Sequence, residues 1–316
     1  MKSFEGYKKG VNLGGWLSQC DYTKEHMGSF ITEEDFKAIA ELGADHVRIP
    51  FDYNILENDE GVFKESGFRY IDSALELCEK YRLNAVLDLH KAAGFSFDKG
   101  ENENGFFENE LLQERFYSLW EEMAFRYGNL HERTAFELLN EVTDRDYSQT
   151  WNKIVNRCIS RIRALAPKTV ILVGSYWNNS AAAVKDLDPP YDDKTVYNFH
   201  CYDPLDFTHQ GAQWVDSIDI NARPTYAQSG WSREKFEQAF AEAIKFAEDN
   251  DTALYCGEYG VIDRAAPEDA LKWFADIHSV FEEHNISRCV WSCKAMDFGI
   301  LDKRMETVLP ELKKYL

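Results

Sequence analysis

Basic residues are scarce in this 316-residue chain: 35 Lys and Arg stand against 55 Asp and Glu, a formal net charge of −20 at pH 7 with His neutral. That balance excludes the basic footprint that nucleic acid or an anionic membrane surface requires, so neither is expected as a partner. No apolar run reaches the 18 residues of a membrane span, and Met1-Lys2-Ser3-Phe4-Glu5-Gly6-Tyr7 lacks the apolar segment of a signal peptide. The protein is expected in the cytoplasm, or outside the cell if an export signal has been removed. Seven cysteines are an odd number for a disulfide framework, and no CxxC zinc ribbon occurs. Cys201, Cys256 and Cys289 lie in apolar runs, where a small buried thiol is expected. What is plentiful is core material: 44% hydrophobic residues with 14% aromatics exclude global disorder.

Strand-like and helix-like patterns alternate along the chain with a period near 40 residues. Short apolar or β-branched runs occur at 10–13, 46–50, 85–90, 134–138, 170–173, 196–199, 253–256 and 288–291. They read as strands buried on both faces, as parallel strands are. Helical patterns lie between them at 66–82, 110–127, 149–166, 232–250, 267–285 and 305–316, and the stretch after Trp177 is the least clear. Another begins at Thr32, an N-cap with Asp35 three positions on, and stops at Gly43. Eight such units without repeats or a linker predict a single-domain (β/α)8 TIM barrel over residues 1–316, with a long βα loop at about 201–231. A doubly wound sheet is the alternative. It is disfavoured because Gly10-Val11-Asn12-Leu13-Gly14-Gly15 lacks the G-x-G-x-x-G spacing of a phosphate loop.

In such barrels function sits where strands end and βα loops begin. The predicted ends carry Asn12, Arg48, His90, Asn140 with Glu141, His200 with Tyr202, Glu258 and Trp291. Each alone has an ordinary structural explanation, as an ion-pair partner or hydrogen-bonded scaffold; together they would converge on one face. Glu141 and Glu258 stand out, because cleaving a glycosidic bond needs two carboxyls flanking the anomeric carbon, one protonated and one ionised. Arg48 suits the ionised partner, and a desolvated carboxyl without a cation suits the acid.

These segments resemble glycoside hydrolase family 5, a family of retaining (β/α)8 enzymes. Matching stretches run nearly end to end: Gly10–Trp16, His46–Pro50, Asp88–His90, Leu139–Glu141, His200–Tyr202, Gly257–Gly260 and Trp291. The whole is most similar to the cellulase (endo-β-1,4-glucanase) members. The resemblance implies Glu141 as acid/base and Glu258 as nucleophile, with Asn140 on the sugar 2-hydroxyl and Arg48 and Tyr202 bonded to Glu258. It further implies His90 and His200 lining the site of the cleaved sugar and Trp291 as its floor. One departure is Val142, where the family often has Pro.

Aromatic residues in the predicted loops suit a sugar cleft, since pyranose C–H faces pack on rings. Trp16, Trp177, Trp214 and Trp231 are candidate subsite aromatics, although most loop aromatics simply hold loops onto a barrel. The expected activity is retaining hydrolysis of β-1,4-glucan, or of mixed β-1,3/1,4-glucan, by a monomer without metal or organic cofactor. A β-mannanase or exo-β-1,3-glucanase would use the same pair. A metal-dependent barrel hydrolase is disfavoured by Asn12-Leu13-Gly14, where such enzymes carry H-x-H. A non-catalytic glycan-binding barrel is disfavoured by the presence of both glutamates.

Overall fold

Eight parallel strands close into a barrel in chain order in the computed structural model, which describes residues 1–98 and 100–316. The strands are β1 (Lys9–Asn12), β2 (His46–Asp52), β3 (Asn84–Lys91), β4 (Thr134–Glu137), β5 (Ile171–Gly174), β6 (Thr195–Cys201), β7 (Leu254–Tyr259) and β8 (Ser287–Val290). The long helices are α1 (Glu33–Leu42), α2 (Glu65–Tyr81), α3 (Glu110–Tyr127), α4 (Ser148–Leu165), α5 (Arg233–Asp249) and α6 (Pro267–Glu283). Thr32 and Asp35 form the capping box of α1, and Gly43, at φ 90°, ends that helix in the left-handed conformation.

Two predicted helices are cut down. Between β5 and β6 only a 3₁₀ segment, Ala181–Asp186, stands in the helix layer. The pattern at 305–316 yields a single turn, Leu309–Leu312. Pro310 fits only the first turn of a helix, so none can run through it from Met305.

Side chains alternate between the barrel interior and the helix layer. Outward residues such as Val47, Ile49, Phe136 and Phe199 join the main core. Trp120, Trp151 and Trp273 are fully buried there, and each indole N–H donates to a backbone carbonyl, of Leu138, Gly174 and Asp203 respectively. Truncating any of them to Ala would cost about 3–5 kcal/mol. Inside the barrel, Val86, Ala135, Leu172, Val196, Tyr255 and Cys289 pack with Phe4 and Tyr7 from the N-terminal segment, filling the end away from the βα loops. The opposite end of the interior is polar, and it holds the site.

Local irregularities aim the polar residues. The register between β6 and β7 passes from Phe199↔Cys256 to His200↔Glu258, so Gly257 is an extra residue. Such a bulge reverses the alternation, bringing Glu258 to the same side as His200. Gly257 is required there: a Cβ would lie 2.7 Å from Asn198 Oδ1.

Candidate active site

Arg48 is the hub. It is wholly buried in the third position of β2, inside the barrel rather than at a strand end as the short predicted run implied. Its Nε and Nη2 donate to the two oxygens of Glu137 at 2.7 and 2.8 Å. Nη1 donates to Glu258 Oε1 at 2.6 Å and Asn12 Oδ1 at 2.9 Å, and Nη2 also reaches Asn140 Oδ1 and Asp88 Oδ2 at 2.9 and 3.0 Å. Burial opposes the guanidinium charge, yet Asp88, Glu137 and Glu258 hold its pKa well above the ordinary value. Asn198 donates to Glu137 Oε1 at 2.8 Å and accepts from the N–H of Gly257 at 3.0 Å. Asn12 donates to the carbonyls of Gly257, Cys289 and Val290, pinning β7 and β8 to β1.

The two glutamates meet across this hub. Glu258 accepts from Tyr202 Oη at 2.9 Å on the oxygen that does not face Arg48. Glu141 lies beyond the end of β4 with φ 43°. Its Oε2 accepts from Asn178 at 3.0 Å, and its Oε1 is 2.8 Å from His200 Nδ1. Asn179 Nδ2 donates to His200 Nε2 at 3.4 Å, which leaves the ring proton on Nδ1, directed at Glu141. Oxygens of Glu141 and Glu258 and the His200 nitrogen all lie within 4.8 Å of one another.

Burial separates the titrating groups. It raises the Glu141 carboxyl above the usual range against the opposing pull of Asn178, His90 and Arg48. It lowers His200 to about 4, so the ring is neutral. Burial also pushes Asp88 up to about 8 despite Arg48, and the two neighbouring carboxylates add to the rise. Asp88 in turn holds His90, with Oδ2 2.6 Å from Nδ1.

His90 stacks parallel to Trp291, centroids 5.8 Å apart. Two glycines make room for Trp291: a Cβ on Gly14 would lie 2.7 Å from its indole ring, and one on Gly260 would lie 2.3 Å from its backbone carbonyl oxygen. Two carboxyls this close, one raised by burial and one bonded to a guanidinium and a phenol, form the constellation that glycosidic-bond cleavage needs.

Known proteins resemble the chain over nearly its whole length. The family described as Cellulase (glycosyl hydrolase family 5) matches residues 5–297. The chain belongs to glycosyl hydrolase family 5. It is 54% identical to Cellodextrinase A of Ruminococcus flavefaciens over 91% of this chain and 86% of that protein. It is 40% identical to Endoglucanase C of Acetivibrio thermocellus over 98% of both chains. The crystal structure of the clostridial cellulose synthase subunit Z from Clostridioides difficile superposes with a TM-score of 0.82 at 26% identity, covering 97% of this chain and 99% of that one. The protein is therefore a glycoside hydrolase of the family-5 barrel type.

The candidate aromatics of this family-5 barrel divide. Trp16 is buried and its indole donates to the Met27 carbonyl at 2.8 Å, so it is core and not cleft. Trp231 packs on Phe236, 5.0 Å between centroids, in the helix layer. Trp177 and Trp214 are 52% and 56% exposed, with Arg145 over the first ring and Arg264 over the second.

Asp88, Glu137, Asn178, Asn179 and Asn198 belong to the network but were not singled out as candidates from sequence. Asp88 and Glu137 did leave a signal, each a charge inside an apolar strand run. Asn178 and Asn179 sit in a left-handed turn, Trp177–Asn179 with φ 51–55°, in the stretch where the sequence pattern is least clear. Asn tolerates that conformation better than most residues. The N–H groups of Trp177 and Asn178 donate to the carbonyls of Thr143 and Val142, tying this turn to the loop of Glu141.

Proposed function

We propose that the chain is a retaining endo-β-1,4-glucanase in which Glu258 is the nucleophile and Glu141 the acid/base. The observation that carries this is the spacing of the two carboxyls, with oxygens within 4.8 Å of each other. Retaining enzymes hold the pair about 5–5.5 Å apart, whereas inverting ones need roughly 6.5–9.5 Å to admit a water. Membership of the cellulase family supports the glucan substrate, as do relatives named endoglucanase and cellodextrinase.

In the first step a Glu258 oxygen attacks the anomeric carbon. The bond to the leaving sugar breaks and Glu141 gives its proton to the departing oxygen. In the second, water loses a proton to Glu141 and attacks the same carbon, releasing Glu258. Arg48 and Tyr202 each bond one oxygen of Glu258 and hold the carboxylate turned toward the sugar. Asn140 commits its oxygen to Arg48, so its amide nitrogen is left for the 2-hydroxyl. His90 and Trp291 enclose the cleaved sugar, Trp291 from below. Trp177, beside Asn178, is a platform for the leaving group, and Trp214 is a more distant rim contact. Asn12 acts through the strands it pins.

The enzyme acts as a monomer on its glucan substrate. All seven cysteines are unpaired. Among the helices of the described residues, none is long and apolar enough to cross a membrane.

Two measurements test the assignment. Proton NMR of the first product should show the β anomer; the α anomer would require inversion. Glu258→Gln should lower turnover of an aryl β-cellobioside by several decades, because the covalent route is lost. Activity close to wild type would remove Glu258 from the nucleophile role. Rates on carboxymethylcellulose, lichenan, laminarin and mannan separate β-1,4-glucanase from mixed-linkage, β-1,3- and mannan-cleaving specificities that share this pair.

A further inference from the structure

The hydrogen bonds of Arg48 leave one buried carboxyl without an N–H of its own. A guanidinium carries five N–H groups. Those of Arg48 go to Glu137 twice, to Glu258, to Asn12 and to Asn140. Asp88 is fully buried, and its Oδ2 stands 3.0 Å from Nη2, a charge contact with a nitrogen whose two hydrogens are already engaged. Asp88 Oδ1 has no hydrogen-bond partner among the described residues. The bond that remains to this side chain joins Oδ2 to His90 Nδ1 at 2.6 Å.

The charges around Asp88 do not balance without a proton. Asp88 and Glu137 are paired across β3 and β4, and burial pushes both carboxyls up. Only Glu137 has its charge held by N–H groups, two from Arg48 and one from Asn198. The attack proposed for Glu258 needs that group as a carboxylate. Arg48 therefore already faces two negative charges, and a third beside them would be buried without a counter-ion. The other charged groups that act on the Asp88–His90 pair are Asp52 at the end of β2 and Glu141 beyond β4, and both are acidic. Among the described residues, a proton is the counter-charge left for Asp88.

That proton belongs in the 2.6 Å bond. On Oδ2 it is donated to Nδ1 of a neutral ring; on Nδ1 it makes a carboxylate–imidazolium pair. The pair as a whole is neutral in both arrangements, and in both Nε2 also carries a proton. Burial disfavours the charged ring, which supports the first. We infer that Asp88 is a positioning residue: by keeping its pair with His90 neutral, it fixes a proton on His90 Nε2 and makes that nitrogen a hydrogen-bond donor to an oxygen of the cleaved sugar. A carboxylate that only orients a histidine does the reverse, holding Nδ1–H and leaving Nε2 bare as an acceptor. The sugar in this inference rests on the glycosidase reading above; the placement of the proton does not.

The test reads the ring protons directly. Nitrogen NMR of protein labelled in its histidine rings, with the His90 signals identified by their loss in His90→Gln, should show Nε2 protonated. A protonated Nδ1 beside a bare Nε2 would overturn the inference. Kinetics on an aryl β-cellobioside give a second reading. Asp88→Ala removes the proton holder and should lower kcat/KM by about tenfold to a hundredfold. Asp88→Asn, whose amide N–H can donate to Nδ1 as the protonated acid does, should recover most of that loss and keep Nε2 protonated. An Asn variant as impaired as the Ala variant would show that the negative charge of Asp88 is what His90 needs, and would overturn the inference, as would an undiminished Ala variant. If neither variant folds, the wild-type spectrum still decides. A wild-type protein with Nε2 protonated that cleaves no β-glucoside would defeat the glycosidase reading and not the proton assignment.

Discussion

Two arginines are buried completely in this protein, and they do different work. Arg48 points into the barrel at the loop end of the interior, and Arg288 points outward beneath the helix layer. Arg48 spreads its donors over Glu137, Glu258, Asn12, Asn140 and Asp88. Arg288 uses Nη2 for Glu282 and His278, at 2.8 and 2.9 Å, while its Nε and Nη1 lack partners among the described residues. Its guanidinium lies 6.0 Å from the Phe281 ring centroid. Equal burial therefore says little about role. What distinguishes the functional arginine is that every direction of its fork meets a group whose own position matters to chemistry.

Removing each charge sharpens the contrast most. Arg48→Met would leave Asp88, Glu137 and Glu258 without their cation, a loss of about 3–5 kcal/mol in stability together with nearly all activity. Arg288→Met exchanges an incompletely bonded charge for an apolar side chain, and its stability should stay within about 1 kcal/mol of wild type with kcat/KM unchanged. Urea melts and cellobioside kinetics on both variants decide it. A large activity loss in Arg288→Met would break the comparison.

The next effect separates the two carboxyls that Arg48 treats unequally. Glu141→Ala should lose about 10²–10⁴-fold on substrates with poor leaving groups and far less on a dinitrophenyl glycoside, with azide restoring part of the rate on the latter. Similar losses across leaving groups would point to another proton donor.

The smallest effect is a shift in pH dependence. Glu141 must be protonated to act, and burial raises its pKa, so kcat/KM should fall as pH rises through that value. The Asn178 hydrogen bond favours the ionised form. Asn178→Ala should therefore move the alkaline limb to higher pH, and a limb that stays put or moves down would remove Asn178 from the control of Glu141.

Much of this was legible in the sequence, for physical reasons. Parallel strands buried on both faces read as apolar runs, so the eight strands and their order could be placed, and the polar residues interrupting those runs had few places to go but the barrel mouth. What could not be read was orientation. Nothing local says that Gly257 is an extra residue, so strict alternation would have turned Glu258 away from its partner. Nor does the sequence tell a tryptophan that faces the cleft from one that faces the core. Trp16 and Trp177 both follow predicted strands, and only the surrounding packing buries one and exposes the other.

The left-handed turn at Trp177–Asn179 has a consequence for anyone wishing to retune this enzyme. Three successive side chains of one short backbone stretch serve three ends: an exposed indole, a bond to the carboxyl proposed as the proton donor, and a bond to the imidazole beside it. Acceptor preference and acid strength are thus mechanically joined. Remodelling the indole position to welcome a different incoming alcohol would, by the same backbone movement, alter how readily the enzyme parts with its proton.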